Sequence, residues 1–360
     1  MNPEDIGRLF YMLLDTSDPT IADRLMNPAT LEDCLLRIQA DPLLDHTRLY
    51  RVARARAAAM GTENYLEPVF QQDFDNYLAE MTDIGRMIAE CIPHRYVLTN
   101  SREAMCIETA CGRVIVVSEV LRYALYFMNL AFGELYGLPS VPDDVQGHAM
   151  IVAARTMIMT EALDFDLDPR GIVPNDIDAF LRHMTEWQMK FVIGHEFSHH
   201  RFGHKGLGLR MTRPIRNDPG EGKGHEWQSY KRSWHEEYEA DIGAIEEIEG
   251  EDSRKLISTA AILFFLYLEF FERIEEALDA TLADIDTHPP TSERLRNVVD
   301  KFGILIDVDW KWAAAQLESI QDHAKAIIEI YNDDPNLLLE YGSAYLGSWK
   351  GPDLIDRVDY

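Results

Sequence analysis

Cysteine is scarce in this chain, with only Cys34, Cys91, Cys106 and Cys111 among 360 residues. No C-x-x-C pair occurs and no dense framework can be built from four scattered thiols. They read as free cysteines of a reducing compartment, which points to the cytoplasm. Long apolar runs are missing too. Leu256 to Leu268 (LISTAAILFFLYL) is 13 residues long and stops at Glu269, whereas a bilayer span needs about 20. It reads as a buried core helix, and no integral membrane span is expected. The opening MNPEDIGRLFYMLLD lacks a basic segment followed by an apolar one, so no secretory signal is expected. Positive charge is heavily outnumbered, with 34 Lys and Arg against 62 Asp and Glu, a formal charge of −28. Such a field repels nucleic-acid phosphates and anionic lipid, which excludes nucleic acid as a partner.

What is present suffices for a folded protein. Hydrophobic residues make up 46% of the chain, enough to bury a core. Residues 1–92 read as successive amphipathic helices, punctuated early by Pro3, Pro19, Pro28 and Pro42, with Glu63 to Cys91 as a longer helical stretch. The period then changes. Arg95 to Thr99, Ala104 to Thr109 and the β-branched Arg113 to Ser118 are strand-like, the last two forming a hairpin about Ala110-Cys111-Gly112. A helix is predicted over 119–136, one long helix over 177–203, and further helices from Trp227 to Glu249, from Ser253 to Leu282 and after His288-Pro289-Pro290. The expected fold is α+β and predominantly helical, with a small antiparallel β-hairpin or sheet packed on the long helix. Three regions are expected: helical 1–92, a central domain 93–300, and a helical C-terminal region with tail 301–360.

The long helix carries His195-Glu196-Phe197-Ser198-His199. Histidines at i and i+4 share a helix face, so both imidazoles reach one ion. Zinc takes such nitrogens and keeps a position open for water at catalytic sites. Glu196 is turned about 100° from His195, which suits a general base beside the metal. With 12 His in 360 residues, chance supplies roughly 0.04 such matches, so a surface helix with two solvated histidines is the poorer reading. Further along, at 237 − 199 = 38 residues, comes Glu237-Tyr238-Glu239-Ala240-Asp241. Either carboxylate of the i, i+4 pair Glu237 and Asp241 can complete the ligand set while the other accepts a ligand's ring N–H. An acidic solvated face competes with that reading, less so beside HExxH. Ala240 is small enough for two helices to approach. A third motif is Thr287-His288-Pro289-Pro290-Thr291-Ser292-Glu293-Arg294-Leu295. His288 can donate to an oxyanion, and Arg294 can orient the region or bind a substrate carboxylate. On its own this segment would read as the turn that starts a helix.

HEFSH, EYEAD and HPPTSERL, in that order, resemble the gluzincin metallopeptidases, in particular the M48 family related to the heat-shock protease HtpX and the CAAX prenyl protease. The resemblance covers residues 95–300 and is concentrated in these motifs. It implies a zincin-like core and a zinc metallopeptidase domain over 93–300, with one Zn2+ per chain on His195, His199 and Glu237, Glu196 and His288 catalytic, and Asp241 and Arg294 supporting. The longer side chain of Glu237 also suits the gap between packed helices. Glu196 would take a proton from the attacking water and pass it to the leaving amine. EAMCIETACGRVIVVSEVL is similar to the family's edge strand, turn and helix, which implies that Ala104, Met105, Cys106 and Ile107 bind an extended peptide or protein substrate. Glu103-Ala104 stand where the family usually has Asn-Ala, and many family members carry membrane spans that this chain lacks.

Rivals are weaker. A metzincin needs Gly at 202 and His at 205; the chain has Phe202 and Lys205, with His204 one place off. A ferritin-like di-iron site needs a second Glu-x-x-His, and no other histidine supplies one. The ligand set alone also admits a two-His-one-carboxylate iron oxygenase. Two functional alternatives stand beside general proteolysis: a single-target toxin-like or phage-exclusion protease, and a non-catalytic zinc-stabilised interaction or regulatory protein whose helical flanks bind a protein partner. Residues 201–233 carry eight Lys and Arg against three acids, 8 − 3 = +5. Residues 206–224 are expected to be a loop, and the basic stretch 201–233 a solvated neutralising segment in preference to a mobile basic flap near the cleft.

Overall fold

This computed structural model describes residues 3–99, 103–204, 210–214, 226–230, 233–278, 288–339 and 342–352. The N-terminal stretch forms α1 (Pro3–Met12), α2 (Ile21–Met26), α3 (Leu31–Asp45), α4 (Thr47–Met60), α5 (Gln72–Glu80) and α6 (Asp83–Ala89). Pro42 does not break α3. It sits in the last turn, where its carbonyl still accepts the His46 N–H at 3.0 Å. The long helix expected over Glu63 to Cys91 is divided instead. Residues 63–71 are irregular, with Phe70 at φ 61°. The chain breaks again between α5 and α6, where Met81 bridges Ile248 and the Thr82 N–H donates to the Glu247 carbonyl at 2.9 Å. Thr82 then caps α6 through the Gly85 N–H.

Three strands follow: β1 (His94–Val97), β2 (Ala104–Thr109) and β3 (Gly112–Ser118). β2 and β3 form the expected antiparallel hairpin, from Ala104 opposite Val117 to Thr109 opposite Gly112. Gly112 closes the turn at φ 129°, a backbone angle that favours glycine. β1 lies parallel to β3 with His94 opposite Ile115, so the sheet is mixed. One face packs Val97, Ile107, Val114 and Val116 on Leu35 of α3. Tyr96, Ile115 and Val117 on the other face enter the main core.

Next come α7 (Glu119–Phe132), a 3-10 turn over Gly133–Tyr136, α8 (Asp143–Met157) and the 27-residue α9 (Asn175–Arg201), about 40 Å long at 1.5 Å per residue. Within 206–224, expected to be loop, Arg210–Pro214 is strand β4, paired antiparallel with β5 (Glu226–Tyr230); the rest of that stretch lies outside the described residues. The hairpin joins β2 at Glu108 opposite Gln228. The helix expected from Trp227 therefore starts later, as α10 (Trp234–Glu246). Its start is set by a capping box in which Ser233 Oγ accepts the Glu236 N–H and Glu236 accepts the Ser233 N–H.

α11 (Glu251–Leu278) contains the apolar run, with Ile257, Ala260, Phe265 and Leu266 wholly buried. No helix among the described residues is long and apolar enough to cross a membrane. α12 (Thr291–Ile306), α13 (Trp310–Asp333) and α14 (Asn336–Leu339) complete the helices. One core cluster runs from Tyr11 to Leu346. Buried ion pairs tie distant segments into it. Arg56 donates to Glu119 at 2.7 Å, and Arg122 and Tyr96 both donate to Asp73. Arg170, with no exposed surface, pairs with Glu161, Asp164 and Asp168, and Glu161 accepts the Ala344 N–H at 3.1 Å.

Candidate metal centre

α9 and α10 lie against each other because their contact residues are small. Ala240 is fully buried, and a Cβ on Gly243 would come within 2.7 Å of the Phe202 ring and 2.8 Å of Ser198 Oγ. On its other side α9 is anchored by Phe197, whose ring packs on Phe74, Tyr77 and His94 at centroid distances of 6.5, 6.1 and 5.5 Å. Between the helices, His195 and His199 stand with rings nearly perpendicular, at 87°, and their Nε2 atoms 2.9 Å apart. Glu237, in the first turn of α10, straddles both. Its Oε2 lies 3.4 Å from His195 Nε2 and its Oε1 3.4 Å from His199 Nε2.

These three buried residues are the group among the described ones that can hold a metal ion, with ligand atoms all within 4.8 Å of one another. The spacing fits: a tetrahedral ion bonded at 2.0–2.1 Å sets its ligand atoms about 3.3 Å apart. The donor chemistry fits as well. Both Glu237 carboxylate oxygens are buried without a hydrogen bond, an arrangement costly for a charge unless a cation completes it.

Charged neighbours surround this group. Asp241, fully buried, has its Oδ1 2.9 Å from His195 Nδ1. Arg294, in the first turn of α12, forks onto Asp241 at 2.6 and 2.9 Å and lies 3.8 Å from Glu237 Oε2. Burial opposes charge on His195, but the hydrogen bond with Asp241 and the attraction of Asp241 and Glu237 override it and push its pKa up to about 9. Burial likewise opposes ionisation of Glu237, yet His195, His288 and Arg294 hold its carboxyl well below the usual range. The Arg294 guanidinium outweighs burial at Asp241 and lowers that carboxyl also.

The remaining expected site residues fall around this group. Glu196 is buried and its Oε2 accepts the Cys106 N–H at 2.7 Å, which joins α9 to β2. Ala104 and Cys106 pack toward the main core, while Met105 and Ile107 face α3. His288 reaches to 3.8 Å from Glu237 Oε2 with its side chain 50% exposed. Thr287 lies outside the described residues. Glu239 points away from the ion group, as its position two residues from Glu237 requires. It meets His204 instead, Oε2 to Nε2 at 3.4 Å, and His204 Nδ1 lies 2.8 Å from His199 Nδ1. His204 is off the helical spacing of a third ligand, and the sequence signal for its contact is Gly203, which lets the chain turn back within five residues of His199.

Fold and site define a mostly helical α+β protein with a buried His/His/Glu group able to hold a metal ion. A family model described as Peptidase U49 matches residues 187–315, and this span is therefore similar to a peptidase family. It includes His195, Glu196, His199, Glu237, Asp241, His288 and Arg294, and excludes β2. No curated protein and no solved structure matches the chain.

Proposed function

We propose that this chain is a zinc peptidase of the gluzincin type, with one ion per chain held by His195, His199 and Glu237. The observation that carries the reading is the convergence of two imidazole Nε2 atoms on a buried carboxylate without hydrogen bonds, within a span that matches a peptidase family. Zinc would supply Lewis acidity toward a carbonyl and lower the pKa of a water to near 7.

The chain's own residues do the rest. Asp241 accepts the His195 Nδ1–H and so fixes the tautomer that leaves Nε2 free to bind the ion. Arg294 holds Asp241 in place. Glu196 is the general base: it receives the proton of the attacking water and delivers it to the leaving amine. His288, at the exposed mouth of the group, donates to the oxygen that gains charge. β2 is not the edge strand expected, since β5 joins it at Glu108, but β5 pairs with no residue of Ala104 to Ile107, and an extended peptide lies along Ala104, Met105, Cys106 and Ile107 there. Pairing of its backbone with Cys106 competes with Glu196 for one N–H and so releases the base when substrate arrives. A structural zinc site has no use for a buried carboxylate in that position, which favours catalysis over a purely stabilising ion. The helical stretches 1–92 and 301–360 flank the peptidase unit 93–300 as partner-binding or supporting regions.

The test is a proteome-wide and peptide-library cleavage assay of the zinc-loaded protein beside Glu196→Gln. Cleavage by wild type that the variant loses is expected. Equal cleavage by both, or iron in place of zinc on metal analysis, would overturn the assignment.

A further inference from the structure

We infer that His204 and Glu239 are positioning residues for His199, so that this ligand is fixed by a second imidazole backed by a carboxylate, whereas His195 meets its carboxylate directly; the inference rests on the zinc reading above. A histidine that binds an ion through Nε2 carries its proton on Nδ1. His199 Nε2 faces the ion group, so His199 Nδ1–H donates, and the atom 2.8 Å away, His204 Nδ1, accepts. That acceptance places the His204 proton on Nε2, which faces Glu239 Oε2 at 3.4 Å. The two rings stand 5.0 Å apart at 66°.

The backbone builds this contact. α9 ends at Arg201, and Gly203 takes φ 69°, a left-handed turn that reverses the chain. The His204 N–H then donates to the His199 carbonyl at 3.0 Å, which returns its ring to the helix it has just left. The His204 side chain is only 6% exposed, while Glu239 is 46% exposed and also lies 3.6 Å from His235 Nε2. The last turn of α9 and the middle of α10 are thereby joined through the side of His199 remote from the ion. A neutral imidazole accepts less strongly than a carboxylate, so His199 is the less basic of the two histidine ligands.

The experiment measures zinc affinity by chelator competition and the visible spectrum of the cobalt-substituted protein, with thermal unfolding of the metal-free forms as a check on folding. His204→Leu keeps the bulk and removes the acceptor, and should weaken zinc binding about 10–100-fold and shift the cobalt bands. His204→Asn places an amide oxygen where Nδ1 was and should restore affinity toward wild type. Glu239→Gln removes the charge that favours the proton on His204 Nε2 and should weaken zinc binding less than His204→Leu. Wild-type affinity in His204→Leu, or His204→Asn no better than His204→Leu, would overturn the inference. A wild-type protein that binds no zinc would instead overturn the metal reading on which it rests.

Discussion

The backbone N–H of Cys106 donates to Glu196 Oε2 at 2.7 Å, so the central strand of the sheet and the residue after the first metal-facing histidine share one hydrogen bond. Glutamine can accept the same bond. Glu196→Gln should therefore keep the local structure and the metal while turnover falls about 10²–10⁴-fold, the usual worth of a general base. Single-turnover kinetics on any substrate found in the cleavage screen, with zinc content measured on the same sample, checks both halves.

Glu237 and Asp241 should separate cleanly in metal binding. Glu237→Ala removes a ligand atom and should abolish most zinc affinity. Asp241→Asn leaves the ligand set whole and should weaken binding about 10–100-fold. Asp241→Ala should also cost about 3–5 kcal/mol of folding stability, because Arg294 is then a buried cation without its partner. Isothermal titration and urea unfolding of the three variants read these effects. Zinc binding that survives in Glu237→Ala but not in Asp241→Ala would exchange the two roles.

Glu272, on α11, gives a pH dependence away from the metal group. Burial pushes its carboxyl up to about 7, although the Thr291 hydroxyl donates to it at 2.6 Å. Its folded pKa lies above its unfolded value near 4.5. Stability is therefore fully present below about pH 4.5 and is lost as pH rises through 7. Glu272→Gln removes this loss, and its advantage over wild type should grow by about 1–3 kcal/mol between pH 4.5 and 8. Chemical denaturation at the two pH values measures it; an advantage independent of pH would show that Glu272 does not titrate in this range.

Gly243→Val should damage stability and metal affinity together. The added atoms meet the Phe202 ring and Ser198 Oγ, both at the end of α9. Overpacking of this kind costs about 1–3 kcal/mol, and the movement that relieves it separates Glu237 from His199. A variant that lost stability but kept wild-type zinc affinity would show that the two helices part without opening the ligand group.

The grouping of His195, His199 and Glu237 was more legible in the sequence than the architecture around it. His195, Glu196 and His199 are one helical turn apart, so spacing alone sets their geometry. Glu237 and Asp241 were legible because i and i+4 carboxylates share a face once α10 is known to be a helix. The start of α10 lies later than the expected Trp227, because the Ser233-x-x-Glu236 capping box sets it and residues 226–230 pair as a strand. The parallel pairing of β1 with β3 has no local signature, because it joins strands separated by β2. His204 was hidden for a different reason: its contact depends on a left-handed backbone at Gly203, while spacing templates test only positions along a helix. Arg170 is a single arginine in a loop, and nothing in its neighbourhood announces that it is wholly buried.

The Arg170 cluster also sets an order of events during synthesis. Glu161 finds one of its partners in the Ala344 N–H, and the Arg170 carbonyl accepts the Leu346 N–H at 2.9 Å. Neither bond can form until those residues have emerged from the ribosome, long after α9 has been made. Before then Arg155, Glu161 and Arg170 have one another, but the Leu337 carbonyl and the Ala344 N–H that complete their hydrogen bonds are still missing, which leaves buried polar groups incompletely satisfied. Contacts between residues so far apart in sequence also close slowly. The loop between α8 and α9 is therefore closed by chain made about 180 residues later, and its final form waits on that segment.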